Sequence, residues 1–248
     1  MEYVELMRAR RVLTWYCGLL LAAFIIVAIS FFSGHLESHG RPESVALAYL
    51  IKGCAFGALI LATCVAAAGL NAESATLAIA WTRPMSRAAI AWRYIAVDVA
   101  TILVGFTFLI AMAVAFFALF GQLGEIVVDS RVLPAVLGSL GCALMWYGLI
   151  TVVTARMDGR GGLIAGLSWG VFIVLGVLWV APFPPLLHGL VTFLNYFDPL
   201  AYFNGVSSGN SSERAIIPLD PSVKTAITWA FAVVTSILTV RLWSTREV

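Results

Sequence analysis

Five runs of this chain contain no Asp, Glu, Lys or Arg at all: residues 13–34, 53–72, 99–124, 132–155 and 161–181. A helix needs roughly 20 predominantly apolar residues to cross the hydrocarbon core of a bilayer, and each run reaches that length. A sixth segment, about 222–242, is apolar with Lys224 and Arg241 near its ends, where long basic side chains can reach back to the headgroups. The expected fold class is therefore all-α: a polytopic membrane protein with six transmembrane helices, at about 12–33, 45–70, 94–121, 132–155, 161–181 and 222–242. Only 11% of the 248 residues are charged, against about 25% in a soluble domain. Too few remain to cover a water-facing surface, and one transmembrane domain over 1–248 accounts for the chain. The first apolar stretch exceeds the roughly 7–15 residues of a signal-peptide core and lacks a small-residue cleavage site, so it reads as a retained span.

Positive charge near the span ends sets the orientation. With both termini inside, the inner segments carry Arg8, Arg10, Arg11, Arg83, Arg87, Arg93, Arg156, Arg160, Arg241 and Arg246. The outer side then carries Arg41, Lys52, Arg131, Arg214 and Lys224. The two-to-one split places both termini in the cytoplasm of a multi-pass protein, expected in the plasma membrane. A formal charge of +2, with the arginines dispersed, gives no reason to expect nucleic acid. Before the first span, Tyr3, Leu6, Met7 and Leu13 recur at helical spacing with Arg8 and Arg11 off that stripe, which predicts a short interfacial helix along the inner leaflet. Between the fifth and sixth spans, Pro182, Pro184, Pro185 and Pro199 interrupt an apolar stretch. Proline disrupts helix interiors, so a Pro-broken outer hairpin of two short helices is expected before the last span.

The loop between the second and third spans, NAESATLAIAWTRPMSRAAIAWRY, is longer than an ordinary helix connection of two to eight residues. Glu73 falls in a first helical turn, where a carboxylate is favoured. Residues 72–82 predict helix, with Thr76, Leu77, Ala80 and Trp81 on roughly one side. Pro84 stops it, Arg83 lies at its C-terminal end, and Ser86 is an N-cap for a new helix from Arg87.

The run from Glu73 and Thr76-Leu77 through Arg83-Pro84-Met85-Ser86-Arg87 to Arg93 resembles the inner loop of type-2 ABC transporter permeases. The resemblance extends along the chain through the interfacial helix, the six spans and the outer hairpin. It implies that Glu73 to Trp81 form a coupling helix that docks in a cleft of a cytoplasmic ATPase subunit, with Arg83, Arg87 and Arg93 as a basic flank. It also implies an exporter, a second permease subunit as partner, and ATP with Mg bound on the ATPase rather than here.

The chain's two lysines, Lys52 and Lys224, lie in no G-x-x-x-x-G-K-[ST] sequence, so it carries no phosphate cradle of that type and no cofactor or catalytic residue is assigned to it. His35 and His39, flanking Glu37, lack the order of a zinc motif. His188 and Asp198 occupy the outer hairpin. Cys17, Cys54, Cys64 and Cys142 lie within predicted spans, as small residues packing between helices. Lys52 either snorkels outward or faces an internal cavity, and Asp98 is placed to pair with an inner-leaflet arginine. Gly53-x3-Gly57 and Gly162-x3-Gly166-x3-Gly170 suit close helix approach within the bundle or at a dimer seam. Phe106, Phe116, Phe117, Trp146, Tyr147 and Trp169 either line a route for an amphiphile or pack as core and lipid-facing residues. A self-contained ion-coupled carrier, a membrane enzyme and a structural membrane subunit are the competing readings. A carrier should show inverted repeats or polar interruptions at mid-membrane, and the sequence shows neither.

Overall fold

The computed structural model describes residues 2–32, 45–69, 86–119, 123–157, 160–180, 184–202, 217 and 219–245. Seven helices occupy most of them: α1 (Glu2–Phe32), α2 (Leu47–Ala67), α3 (Arg87–Leu119), α4 (Val132–Thr154), α5 (Gly161–Val180), α6 (Pro185–Asn195) and α7 (Pro221–Ser244). All but α6 contain a stretch long and apolar enough to cross a membrane. Six crossings return both ends of the bundle to one face, called here the terminal face; the other is the distal face.

The helices start and stop where the backbone chemistry dictates. Ser86 accepts a hydrogen bond from the Ala89 amide at 3.2 Å, which makes it the N-cap of α3 as its sequence position predicts. Pro185 and Pro221 sit in the first turns of α6 and α7, where the missing N–H costs nothing. On the distal face, the segment entering α2 pairs with the segment leaving α3: Val45 opposite Ile126 and Ala46 opposite Val127, in parallel. Two residues per strand leave no periodic pattern, and no strand was expected here.

The first helix departs from expectation. Instead of an interfacial helix followed by a turn, Glu2–Phe32 is one unbroken helix of 31 residues. No Pro or Gly interrupts it before Gly18, and at 1.5 Å per residue it is about 46 Å long, well over the roughly 30 Å of hydrocarbon. Its first turns pack against the bundle through Glu5 and Arg8. Leu6 and Met7 of the predicted stripe are exposed, while Glu5 on another side is buried.

The core centres on α4, which has 67% of its most apolar stretch buried, against 6% in α1 and 17% in α5. Its most extensive partner is α7, and the sequence explains the close fit. A Cβ on Gly141 would press on the Thr228 hydroxyl and approach the Trp229 ring at 3.0 Å; one on Gly148 would collide with Thr235. Glycine on one helix thus receives threonine and tryptophan from the other. The seam is also bonded: Trp229 Nε1 donates to the Leu137 carbonyl at 3.0 Å, and Thr151 and Thr239 hydroxyls meet at 3.3 Å. These are not the glycines that the four-residue spacing singles out. Of those, Gly57 does pack, its carbonyl accepting from Tyr16 Oη at 3.0 Å and its Cα facing Leu109. Gly53, Gly162, Gly166 and Gly170 have open space where a Cβ would stand.

A second polar hub lies inside the bundle. Thr63 Oγ1 accepts indole N–H groups from Trp146 at 2.8 Å and Trp169 at 2.9 Å, and donates to the Leu59 carbonyl at 2.8 Å. One hydroxyl therefore joins α2, α4 and α5, with Phe56 and Phe172 packed edge-on against the two indoles.

Candidate functional site

The predicted coupling residues Glu73, Thr76, Leu77, Trp81, Arg83 and Pro84 lie outside the described residues. His35 and His39 do too. What is described is the pair of helix ends between which the loop runs, and the groups gathered there.

Residues 64–69 close α2. The Ala68 amide donates to the Cys64 carbonyl at 3.0 Å and the Gly69 amide to the Ala66 carbonyl at 3.2 Å, a tightened last turn that satisfies carbonyls otherwise orphaned at a helix end. The Ala68 carbonyl itself accepts from Arg8 Nη1 of α1 at 2.9 Å. The same guanidinium, through Nη2, makes an ion pair with Asp98 Oδ1 of α3. The other carboxylate oxygen of Asp98 accepts from Tyr147 Oη of α4 at 2.7 Å. The Tyr94 ring of α3 completes the setting, its centroid 5.1 Å from the Arg8 guanidinium carbon, in range for a cation–π contact. Glu5, one turn before Arg8 and 2% exposed, adds a second acidic group to the field around Asp98 and Tyr94. Gly161 at the start of α5 touches the same α2 end, with a Cβ there 3.0 Å from the Ala67 carbonyl. Five helices thus converge where the loop toward residue 86 leaves the bundle.

Chemically this is a joint. Asp98 is 1% exposed, and an unpaired carboxylate there would be costly. Donors from two helices reach its two oxygens, and the arginine that compensates it also holds the last turn of α2. Moving α2's end relative to α1 and α3 strains that arrangement directly. Asp98 and the type of its partner were legible in the sequence; the partner being Arg8, and the third member being Tyr147, were not. Tyr147 carried no signal beyond being one aromatic among many.

The remaining site residues lie along the first turns of α3. Ser86 caps it, Arg87 is half-buried one residue later, and Arg93 is exposed two turns on beside exposed Trp92. They share the helix that carries Asp98. Lys52, toward the distal end of α2, has Nζ 5.7 Å from the Tyr49 ring centroid and Asp129 and Arg131 as its charged neighbours, an arrangement of snorkelling toward the distal face.

The aromatic residues divide. Phe106, Trp146 and Tyr147 are core. Phe116 and Phe117 join Phe24, Leu20, Leu109, Met112 and Ala113 around a wholly apolar groove of about 270 Å³ between α1 and α3. Among the described residues no group of three or more His, Cys, Asp or Glu side chains is placed to hold a metal ion. All four cysteines are free, with Cys54 and Cys142 buried and Cys64 exposed on the outside of the bundle. Comparison with family models, with curated proteins and with solved structures finds no match to this chain.

Proposed function

We propose that this chain is the membrane permease subunit of an ATP-driven transporter of the type-2 ABC kind, an exporter by its resemblance, with both termini on the cytoplasmic side of the plasma membrane. In this reading ATP and Mg are bound by separate cytoplasmic ATPase subunits. The loop containing Glu73, Thr76, Leu77, Trp81, Arg83 and Pro84 receives their motion, and Ser86, Arg87 and Arg93 carry it into α3.

The observation that supports the reading best is the joint at the root of that loop. A force applied between Gly69 and Ser86 acts on the end of α2, which Arg8 holds at the Ala68 carbonyl, and on α3, whose Asp98 pairs with the same arginine about three turns further along. Coupling requires an element whose states a partner can bias through differential contacts, and a buried charge pair spanning α1, α2, α3 and α4 is such an element. The second permease subunit has candidate surface in α5, where Gly162, Gly166 and Gly170 form an open stripe beside exposed Leu163, Leu167 and Val171.

The test is affinity purification of the tagged full chain from its native membrane, followed by assay for ATPase activity in the eluate. A Walker-motif partner should co-purify and be lost, or lose its stimulation, in Glu73→Arg, while the variant inserts normally. Nucleotide-independent transport by the purified chain alone would instead identify a self-contained carrier.

A further inference from the structure

The distal hairpin buries a carboxyl group that one backbone amide reaches among the described residues. After α6 the chain runs Asn195-Tyr-Phe-Asp198-Pro199-Leu200, and Pro199–Tyr202 forms a 3-10 turn. Asp198 caps this turn. Its Oδ1 accepts from the Leu200 amide at 2.8 Å, and its carbonyl accepts from the Ala201 amide at 3.1 Å. Pro199, the residue between, has no amide to give. The Asp198 side chain is 2% exposed, and the Leu200 amide is the one donor that reaches it among the described residues.

The surroundings are closed and mostly apolar. Ala201 and Tyr202 pack with Cys142 and Met145 of α4 and with Ile217, and Tyr196, Ile227 and Phe231 lie against the same cluster. The titratable groups facing this place are Cys142 from α4, which lies in the fields of both Asp198 and Lys224, Lys224 from α7, and Tyr196 and Tyr202 from the hairpin itself. Lys224 is buried on the same side, yet no ion pair within 4.0 Å joins it to Asp198. The Tyr202 phenol donates to the Tyr196 carbonyl at 2.9 Å, and burial pushes it up to about 12, so it stays neutral. One turn before Asp198, Asn195 is 0% exposed and its Oδ1 has no hydrogen-bond partner among the described residues. A buried acceptor without a donor and a buried carboxylate with one donor are both costly. A proton on Asp198 removes the charge and supplies an O–H donor one turn from that acceptor.

We propose that Asp198 is the proton-binding group of a switch in the distal hairpin: when it is protonated the turn Pro199–Tyr202 seals over Cys142, and when it is ionised the turn lifts and admits water. Burial raises the Asp198 carboxyl to about 7, opposed by the Leu200 amide, so the change falls within an ordinary extracellular or compartment pH range. The switch does not depend on the transporter reading, since it concerns the hairpin alone.

Cys142 provides the readout because it is 3% exposed beneath the turn. The full chain with Cys17→Ala, Cys54→Ala and Cys64→Ala leaves it as the single thiol. Its labelling rate with a small maleimide in detergent micelles is measured between pH 6 and pH 8, with Asp198 intact and with Asp198→Asn. Because Asp198 lies in the field of Cys142, each rate is divided by the thiolate fraction of the same chain, read from thiolate ultraviolet absorbance in the same micelles, and the ratio of the corrected rates isolates the switch. One group titrating near 7 changes its ionised fraction about tenfold over this interval, and the ratio should rise by about that factor. A flat ratio overturns the proposal. Should Asp198→Asn fail to fold, hydrogen exchange at the Leu200 and Ala201 amides of the unsubstituted protein decides instead. Protection that falls about tenfold beyond the intrinsic pH effect supports the switch; constant protection overturns it.

Discussion

Asp98 near the terminal face and Asp198 on the distal face are buried to the same degree, 1% and 2% exposed, but they are compensated differently. Asp98 meets a guanidinium on one oxygen and a phenol on the other, from two different helices. Among the described residues Asp198 meets a single amide, from its own turn. Burial alone does not decide what a carboxylate does. Compensated by charge from a neighbouring helix, it becomes a fastener that fixes helix positions. Left with one local donor, it becomes a group whose protonation state the structure can feel.

The comparison breaks most visibly if Asp98 can be removed without consequence. Asp98→Ala leaves Arg8, 19% exposed, without its counter-charge, and loss of one partner of a fully buried pair, about 3–5 kcal/mol, is the upper bound on the cost. Thermal unfolding in detergent should show a drop of up to that size. Arg8→Met combined with Asp98→Leu should recover most of it, because replacing both charges by apolar groups is often neutral. If the double variant is as unstable as the single one, the site depends on something other than the pair. Tyr147→Phe should cost less, about 1.5–3 kcal/mol for one hydrogen bond to a charged acceptor, since Arg8 still serves Asp98.

Glycines sharpen the same lesson at the next scale down. Gly148→Val forces a side chain into Thr235 across the α4–α7 seam, and overpacking of this sort costs about 1–3 kcal/mol. Gly166→Val meets open space on α5 and should change monomer stability by less than about 0.5 kcal/mol. Size-exclusion chromatography with light scattering then adds a second reading: a Gly166→Val chain that is stable but no longer self-associates would place the second subunit on α5.

The spans were legible because charge is forbidden over a whole helix length, a constraint that every residue of the run repeats. The Ser86 cap was legible because capping is local, set by one side chain and an amide three residues on. The α4–α7 seam was not, although Gly141 and Gly148 stand in plain view. Their spacing of seven is as ordinary as any, and their function depends on Thr228 and Thr235 about 87 residues away. The unbroken α1 was misread for a related reason: the stripe Tyr3, Leu6, Met7 and Leu13 predicted an interfacial face, whereas the buried face is the one carrying Glu5 and Arg8. What fixes that face is Asp98, 90 residues later, which no local period encodes.

A last small effect separates two ways the distal hairpin can respond to pH. Asp198 has a folded value raised to about 7 from an ordinary 3.8. A raised carboxyl favours the folded state fully below about pH 4, and that contribution is lost as pH rises toward 7. Between about pH 4 and the folded midpoint that loss runs at about 1.4 kcal/mol per pH unit, whichever way the hairpin responds. If the turn lifts, the carboxylate ionises near pH 7 and regains water without unfolding the bundle, and the loss levels off there. Denaturant titrations should therefore show the stability difference between Asp198→Asn and the parent chain growing by less than about 0.5 kcal/mol from pH 7 to pH 8. Growth by about 1.4 kcal/mol over that interval would mean that the shut hairpin still holds its proton, locked as firmly as the Asp98 joint, and the contrast between the two ends of the bundle would fail.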